Sequence, residues 1–255
     1  MEIFLSADAW VALITLTLLE IILGIDNIIF ISISANKLPK NQRKKATYLG
    51  LSLAMITRVL LLLSVSYLIA LKEPFWTINT SWLKVGVTGQ SLILLLGGLF
   101  LLYKSTKEIR GKVHKSAVTE EEDQPKKASS FSNVIVQIIL IDIVFSFDSI
   151  LTAVGMTNGI EGALPIMIVA VVISMIIMMF FANPVNRFVS ENPTIQMLAL
   201  SFLILIGFML ITEAAHLSNA EIFNKTVGAI PKGYLYFAIA FSLVVEMLNI
   251  KVRKK

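Results

Sequence analysis

Cysteine is absent from this sequence, and histidine is nearly absent. The lack of thiols excludes disulfide bonds, thiolate metal sites and cysteine nucleophiles, and it leaves the redox compartment undetermined. The only two histidines, His114 and His216, fall in predicted loops. Zinc and copper sites usually recruit thiolate or imidazole ligands, so a metal site in the apolar part of this chain would use oxygen ligands.

Charged side chains are also scarce, because only 15% of the 255 residues are charged and 56% are hydrophobic. A soluble domain carries about 25% charged residues. The apolar residues are gathered into runs that approach or exceed the roughly 20 helical residues needed to cross a membrane. Glu2 and Asp8 occupy the place where a signal peptide has basic residues, so no cleavable signal peptide is expected. We predict an all-α, polytopic membrane bundle of seven transmembrane helices at 9–35, 46–71, 89–104, 131–155, 163–183, 195–213 and 234–250.

The basic residues are distributed unevenly between the predicted loops. Most of the 22 lysines and arginines follow spans 1, 3, 5 and 7. Cytoplasmic loops of membrane proteins carry an excess of lysine and arginine. The N-terminus is therefore predicted outside and the C-terminus in the cytoplasm, with the protein in the bacterial inner membrane. This asymmetry explains the net charge of +5 without nucleic-acid binding. The loops on the other side contain Lys72, Lys84, Lys225 and Lys232, and tryptophans near that predicted outer boundary are Trp10, Trp76 and Trp82.

Residues 104–130 form the only long polar stretch of the sequence. Their mixed charge and lack of an apolar face predict a solvated, partly disordered cytoplasmic linker. The linker separates a first three-helix repeat, residues 1–103, from a second three-helix repeat, residues 131–213. Residues 214–255 are predicted to form an outer loop, the seventh helix and a basic cytoplasmic tail.

Two of the predicted spans contain the same acidic pattern. Residues 18–29 (LLEIILGIDNII) align with residues 140–151 (LIDIVFSFDSIL). Because each half has an odd number of spans, the second half must enter the membrane from the opposite side. This arrangement is the inverted repeat of many secondary transporters, in which the binding site lies near the midplane. The aligned pairs are Glu20 with Asp142, Gly24 with Ser146, Asp26 with Asp148, and Asn27 with Ser149.

These acids should be expensive to bury. A carboxylate at the centre of a membrane helix costs about 2.5–3.5 kcal/mol on insertion scales, so we expect the acids to face one another and bind a cation. Glu20 and Asp26 are separated by about 240° around an ideal helix and by about 9 Å along it. One ion can contact both only where the helix is interrupted. Spans 1 and 4 are therefore predicted to be irregular near Gly24 and Ser146, which would free carbonyl oxygens.

The predicted ligand set contains only oxygens, which favours Mg²⁺, Ca²⁺ or Mn²⁺. Protons compete with a metal ion for carboxylates, and this competition suggests exchange of the cation for protons. Arg58, near the centre of span 2, is a candidate counter-ion for the acids. The predicted metal ligands are Glu20, Asp26, Asn27, Asp142, Asp148 and Ser149.

Other polar and small residues in the spans have supporting interpretations. Gln137 belongs either to the ligand shell or to an interhelical hydrogen bond. Glu213 and Glu246 lie near span ends, where interfacial placement is the simpler interpretation and support of the site is the other. Glycines within spans 3 and 6 favour close helix packing, and they are Gly97, Gly98 and Gly207.

The segments LTLLEIILGIDNIIF at 16–30 and LIDIVFSFDSILTAVG at 140–155 resemble the paired signature segments of the TerC family of integral membrane proteins. The stretches LALSFLILIGFMLI at 198–211 and PKGYLYFAIAFSLVVEMLN at 231–249 are also similar to that family. The resemblance implies a short, membrane-only member with seven helices and, as in several members, export of Mn²⁺ from the cytoplasm. Some members are linked to tellurite resistance or to metal supply for secreted enzymes.

The expected function is cation transport, without enzymatic activity and without a tightly bound cofactor. Expected partners are the lipid bilayer, the divalent cation and protons as counter-ion, while a homo-oligomer and secreted-enzyme partners stay open. An intramembrane aspartyl protease could use Asp26 with Asp148, but the additional acids and the sequence LGID in place of GxGD count against it. A non-transporting membrane partner for metal delivery, or for envelope or tellurite stress resistance, is the alternative function.

Overall fold

The structure, a computed structural model, describes residues 6–117, 130–157, 160 and 162–253. For residues 25, 26 and 114–117 it describes the backbone alone. The helices are α1 (Ala7–Ala35), α2 (Lys40–Leu63), α3 (Val65–Ala70), α4 (Gly89–Ala117), α5 (Phe131–Met156), α6 (Ala163–Glu191), α7 (Pro193–Leu217) and α8 (Lys232–Arg253). The strands are β1 (Pro74–Asn79), β2 (Leu83–Thr88), β3 (Glu221–Ile222) and β4 (Lys225–Thr226).

Length and apolar composition identify the membrane helices. Within the described ranges, six helices are long and apolar enough to cross a membrane, namely α1, α2, α5, α6, α7 and α8. The predicted all-α, polytopic membrane fold is therefore confirmed. The helix over the third predicted span, α4, is not among the six, and beyond Tyr103 it continues through charged residues. The count of seven spans stays a prediction.

Two predicted boundaries differ from the structure. The second span is divided at Ser64, whose hydroxyl donates to the carbonyl oxygens of Leu60 and Leu61 at 3.1 and 3.0 Å. A serine hydroxyl that bonds to the preceding turn weakens a helix at that point, and α3 starts immediately afterwards. Residues 104–117 continue helix α4 and are not part of an irregular linker, while residues 118–129 lie outside the described part of the chain.

The chain forms two compact units, and the first contains α1, α2, α5 and α6. Within it, α1 packs mainly against α6, and α2 packs mainly against α5. In each pair, the first helix of one predicted repeat packs against the second helix of the other repeat. The two pairs are therefore equivalent, as a repeat predicts. All four helices contribute buried apolar side chains, including Leu16, Leu51, Ile138 and Met175.

The second compact unit contains α4, α7, α8 and the four strands. Each unit thus combines helices from both predicted repeats, and the proposed division of the chain into sequential repeats stays a prediction. The main packing of this unit is α4 against α7. A Cβ atom on Gly98 would lie 2.7 Å from the carbonyl oxygen of Gly207, and a Cβ atom on Gly207 would lie 3.0 Å from that of Gly98. The predicted close packing at these two glycines is confirmed, and Gly97 is buried beside them.

A small antiparallel sheet, which was not predicted, also belongs to the second unit. The hairpin β1–β2 joins α3 to α4, and the hairpin β3–β4 joins α7 to α8. Strands β2 and β3 pair with each other, so the sheet has the order β1-β2-β3-β4. The residues of β1 and β2 alternate between apolar and polar types, which is the pattern of a half-exposed strand.

The glycine crossing of α4 and α7 generates a stability prediction. Gly98→Ala should lower the free energy of unfolding by about 1–3 kcal/mol, because the added methyl group overpacks a contact between two backbones. Gly111→Ala is the matched control, since it lies in the same helix with no atom within 4 Å of the added group. Unfolding in detergent measures both variants. Equal destabilisation by the two substitutions would contradict the packing assigned to Gly98.

Candidate functional site

The acidic positions lie on continuous helices. Helix α1 runs without interruption from Ala7 to Ala35, and α5 runs from Phe131 to Met156. The prediction of irregular helices near Gly24 and Ser146 is therefore wrong. The prediction assumed that two acids six positions apart bind one ion, with Gly24 and Ser146 interrupting the helix between them.

Gly24 and Ser146 serve packing and hydrogen bonding. Gly24 is buried in α1, and a Cβ atom there would collide with the thioether of Met178 in α6. The missing side chain lets the two helices approach each other. Ser146 is fully buried, and its hydroxyl donates to Asp142 Oδ2 at 3.1 Å, one helical turn earlier. Neither role requires a break in the helix.

Arg58 forms buried ion pairs with two of the predicted acids. Its Nη1 lies 2.5 Å from Glu20 Oε2, and its Nη2 lies 3.0 Å from Asp142 Oδ1. The exposed fraction is 2% for Arg58, 2% for Glu20 and 3% for Asp142. One guanidinium on α2 thus links α1 to α5, and it joins the two carboxylates that occupy equivalent positions of the repeat.

Asp142 accepts further hydrogen bonds. Its Oδ1 receives Arg58 Nε at 3.3 Å and Asn27 Nδ2 at 3.3 Å, in addition to Arg58 Nη2. With the Ser146 hydroxyl on Oδ2, both oxygens of Asp142 are hydrogen-bonded. We call Glu20, Asn27, Arg58, Asp142 and Ser146 the carboxylate cluster.

The carboxylate cluster balances its charge only partly. Two carboxylates face one guanidinium, so one negative charge remains when all three groups are ionised. Ion pairs that are removed from water lose hydration, and they persist only when hydrogen bonds complete their geometry. Among the described side chains, no group of three or more Asp, Glu or His is arranged to hold a metal ion. Arg58 occupies the position between Glu20 and Asp142 where such an ion would contact both.

The remaining predicted ligands, Asp26, Asp148 and Ser149, are not members of the carboxylate cluster. Asp148 and Ser149 are buried in α5, and the Ser149 hydroxyl donates to the backbone oxygen of Ser146 at 3.2 Å. Asp148 is six positions beyond Asp142 on a continuous helix, about 9 Å along the axis, so one ion cannot contact both at ordinary metal–oxygen distances. The side chain of Asp26 lies outside the described part of the chain.

Two amide oxygens in the first unit have no protein partner among the described residues, and neither have the hydroxyls of Thr17 and Ser34. Asn27 Oδ1 is buried beside the ion pairs, and Gln137 Oε1 is buried in the first half of α5. The two roles predicted for Gln137, in the ligand shell or in an interhelical hydrogen bond, stay predictions. Glu213 and Glu246 belong to the second unit, where both are half-buried. Glu246 Oε2 accepts a hydrogen bond from Asn249 Nδ2 at 3.4 Å, and the supporting roles of both glutamates stay predictions.

Sequence analysis missed a second polar network in the first unit. Asn36, at the end of α1, donates to Ser190 Oγ at 2.8 Å and accepts from Arg43 Nη1 at 3.1 Å. Asn183 donates to the Tyr48 hydroxyl at 2.7 Å. These bonds join α1, α2 and α6, and we call Asn36, Arg43, Tyr48, Asn183 and Ser190 the amide cluster. The signal in the sequence was the pair of asparagines, Asn183 and Asn186, on either side of Pro184 in the apolar helix α6.

The ion pairs of Arg58 generate a second stability prediction. Arg58→Gln should lower the free energy of unfolding by about 3–5 kcal/mol, because it leaves two buried carboxylates without a counter-charge. Unfolding in detergent at neutral pH measures the loss. Combining Arg58→Gln with Glu20→Gln and Asp142→Asn removes all three charges and should recover much of the stability.

Arg187→Gln is the matched control for this experiment. Arg187 pairs with Glu191 at 2.8 Å, but both side chains are exposed, so its loss should change stability little. If Arg58→Gln is as stable as Arg187→Gln, the ion pairs do not hold the helices together.

Comparison with known proteins extends the similarity to nearly the whole chain. Residues 5–254 match the family model described as the integral membrane protein TerC family. The chain is 48% identical over 248 residues to the UPF0053 inner membrane protein YgdQ of Escherichia coli (strain K12), with 97% of this chain and 95% of that protein covered. A UPF0053 protein of Haemophilus influenzae is 45% identical over 247 residues, with 97% and 95% covered.

A longer relative contains a similar region. The UPF0053 inner membrane protein YoaE of Escherichia coli (strain K12) is 42% identical over 249 residues, which are 98% of this chain and 44% of YoaE. No solved structure matches the chain. The family model covers both acidic segments and all eight helices of the structure. The chain therefore belongs to the TerC family of integral membrane proteins.

Proposed function

We propose that this protein exports a hard divalent cation across the membrane, with Mn²⁺ as the expected cargo. The observation that carries the proposal is the meeting of Glu20 and Asp142 at one buried point. The two carboxylates occupy equivalent positions of the repeat, and both helices have the length and composition of membrane spans. Ionisable side chains inside membrane segments are costly and commonly mark ion pathways.

The cargo class follows from the donor chemistry of the carboxylate cluster. Carboxylate oxygens, the Asn27 amide and the Ser146 hydroxyl are hard oxygen donors, which suit Mg²⁺, Ca²⁺ and Mn²⁺. Asn27 Oδ1 adds a buried acceptor that no described protein group uses. The choice of Mn²⁺ among these ions rests on the family resemblance, and it forms part of the proposal.

Arg58 acts as the resting occupant of this site. Its guanidinium lies between the carboxylates and bonds to both, so a cation that binds there must move Arg58 away from at least one of them. When the cargo leaves, the return of Arg58 restores a partly neutral cluster. Without cargo, the guanidinium of Arg58 thereby keeps the two carboxylates from lying unpaired in the membrane interior, which would be costly.

Protons provide the proposed driving exchange. A protonated carboxylate no longer binds a metal ion well, because metal and proton compete for the same oxygen atoms. Proton entry from outside would release the cation on that side, and loss of the proton to the cytoplasm would restore the ligand. The burial of Asp148 further along α5 supports its proposed role as the next acid on the route.

The membrane and the orientation are proposed on two grounds. The relatives YgdQ and YoaE are named as inner membrane proteins, and we assign this chain to the same membrane. The uneven distribution of lysine and arginine supports an N-terminus outside and a C-terminus in the cytoplasm. Export then carries the cation towards the side on which α1 begins.

The same cluster favours a second function, that of a non-transporting membrane partner. Arg58 satisfies both carboxylates within the protein, and such a closed network can join three helices without any cargo. In this case the protein would support metal delivery or envelope stress resistance through a protein partner. No catalytic role is proposed for either function.

Cellular metal content distinguishes the two functions. Cells that express the protein and are loaded with Mn²⁺ should retain less metal than control cells, as measured by elemental analysis. Asp142→Asn and Asp148→Asn should abolish the difference, because each removes a charged oxygen ligand. Glu191→Gln is the control, since this exposed acid lies at the end of α6 and should leave export unchanged.

Membrane insertion of each variant is measured in parallel, so that loss of the protein is separated from loss of transport. If the native protein leaves cellular Mn²⁺, Ca²⁺ and Mg²⁺ unchanged, the export proposal is wrong and the partner function is favoured. Export that survives both substitutions would place the cation route elsewhere in the protein.

A further inference from the structure

The four-stranded sheet has two chemically different faces. Residues that pair directly across antiparallel strands point to the same side of a sheet. The pairs of one side are Trp76 with Val87, Ile78 with Val85, and Leu83 with Ile222. We call these six residues the apolar sheet face. The opposite, polar side contains Thr77, Asn79, Lys84, Glu221 and Thr226.

Half of the apolar sheet face is exposed in the structure, while Leu83, Val85 and Val87 of the inner strand β2 are half-buried. The exposed fraction is 67% for Trp76, 44% for Ile222 and 39% for Ile78. The polar side, in contrast, has its own partners, including an ion pair between Lys84 and Glu221 at 3.1 Å. A contiguous exposed apolar surface with a polar rim commonly marks a contact with a protein or a membrane.

The hairpin tips add two exposed aromatic side chains. Phe223 and Asn224 form the two-residue turn of β3–β4 with φ angles of 51° and 58°, which is typical of a type I′ turn that favours Asn and Gly. A bulky side chain in this left-handed region is an outlier, yet Phe223 is 73% exposed. Its backbone N–H donates to the carbonyl oxygen of Trp82 at 2.9 Å, so the two tips lie side by side.

The presence of phenylalanine at position 223 therefore has no explanation within the hairpin itself. Its ring is exposed, so it does not contribute to a core, and its backbone conformation would suit a smaller residue better. Trp82, at the tip of the first hairpin, is also more than half exposed. Strained positions that persist in a fold commonly serve a contact outside the local structure.

The place of the sheet in the chain indicates what covers it. The hairpin β3–β4 is the connection between α7 and α8, which both have the length and composition of membrane spans. The sheet must therefore lie where these two helices leave the membrane. Tryptophan and other amphipathic aromatic rings are enriched at that depth. Lys225 shares the side of the apolar sheet face, opposite Ile222, and lysine at this depth is suited to lipid phosphates.

An added strand from a protein partner fits the sheet less well. One edge of the sheet is β4, which has only two residues. The other edge is β1, which begins with Pro74 and has a register irregularity between Pro74 and Trp76. Proline and bulges on an edge strand disfavour further pairing. The face of the sheet, rather than its edge, is thus the available contact surface.

We propose that the apolar sheet face and the tips at Trp82 and Phe223 lie in the headgroup region of the bilayer and anchor the α7–α8 end of the protein to lipid. The anchor resembles an interfacial amphipathic helix, with apolar side chains turned towards the acyl chains and polar ones towards water. It uses residues of the second unit alone and does not depend on the proposed transport.

Fluorescence quenching in lipid vesicles tests this anchor. The protein is reconstituted in phosphatidylethanolamine and phosphatidylglycerol, with all native tryptophans except Trp76 replaced by phenylalanine. Trp76 should be quenched by lipids brominated close to the headgroup, and aqueous acrylamide should quench it several-fold less than a tryptophan on the polar side. Thr77→Trp, in a background without native tryptophans, supplies that matched control on the neighbouring residue.

A substitution at the turn separates anchoring from folding. Phe223→Asn places a favoured residue in the type I′ turn, so the stability of the protein should stay equal or rise. Quenching of Trp82 by brominated lipid should nevertheless fall. Unchanged Trp82 quenching in Phe223→Asn would overturn the role of the tips in the anchor.

Three results would overturn the lipid contact as a whole. The first is equal acrylamide quenching of Trp76 and of Thr77→Trp, and the second is the absence of quenching by brominated lipid. The third uses the natural lack of cysteine, which allows maleimide labelling of Ile78→Cys and Asn79→Cys. Protection of Ile78→Cys in native membranes but not in vesicles would assign the face to a protein partner. Protection in both is expected.

Discussion

Two ion pairs of a single arginine connect helices of the two predicted repeats within the first unit. Arg58 on α2 holds Glu20 of α1 and Asp142 of α5 within the part of the chain where water is scarce. Each carboxylate alone would oppose insertion by about 2.5–3.5 kcal/mol, and the guanidinium would do so as well. Their mutual contact offsets part of that cost. It links α2 to both α1 and α5, in agreement with the packing of α2 against α5.

The repeat places equivalent residues in unequal surroundings. Gly24 and Ser146 align in the sequence, but Gly24 makes room for the thioether of Met178, whereas Ser146 donates to Asp142. The helix that packs on α1 is thus apolar at this level, while the helix that packs on α5 carries a full positive charge. A cation in the carboxylate cluster would therefore meet a movable competitor on one side and a packed apolar wall on the other. Under the proposed transport, such an asymmetry would give the two sides of the site different responses to the same ion.

Much of the fold was predictable because hydrocarbon thickness limits where apolar runs can begin and end. The meeting of Glu20 and Asp142 was expected from the cost of isolated charges, although their role as metal ligands stays a prediction. Helix continuity was predicted wrongly, since a single shared ion was assumed where Asp142 has Arg58, Asn27 and Ser146 as separate partners. The hairpin β1–β2 was missed although its residues alternate between apolar and polar types. Strands β3 and β4 have two residues each, too few for a pattern, and the pairing of β3 with β2 joins distant parts of the chain. The amide cluster was missed for a related reason, since an asparagine in an apolar run does not reveal its partner.

The amide cluster has a consequence for how the first unit can open. Asn36, Arg43 and Ser190 fasten α1, α2 and α6 through bonds that water can replace one by one, so wetting this end forfeits little free energy. The apolar seam between α1 and α6 offers no such substitution, because parting its side chains exposes hydrocarbon to water. Separation of these helices should therefore start at Asn36, before the apolar level of Gly24 and Met178 loosens.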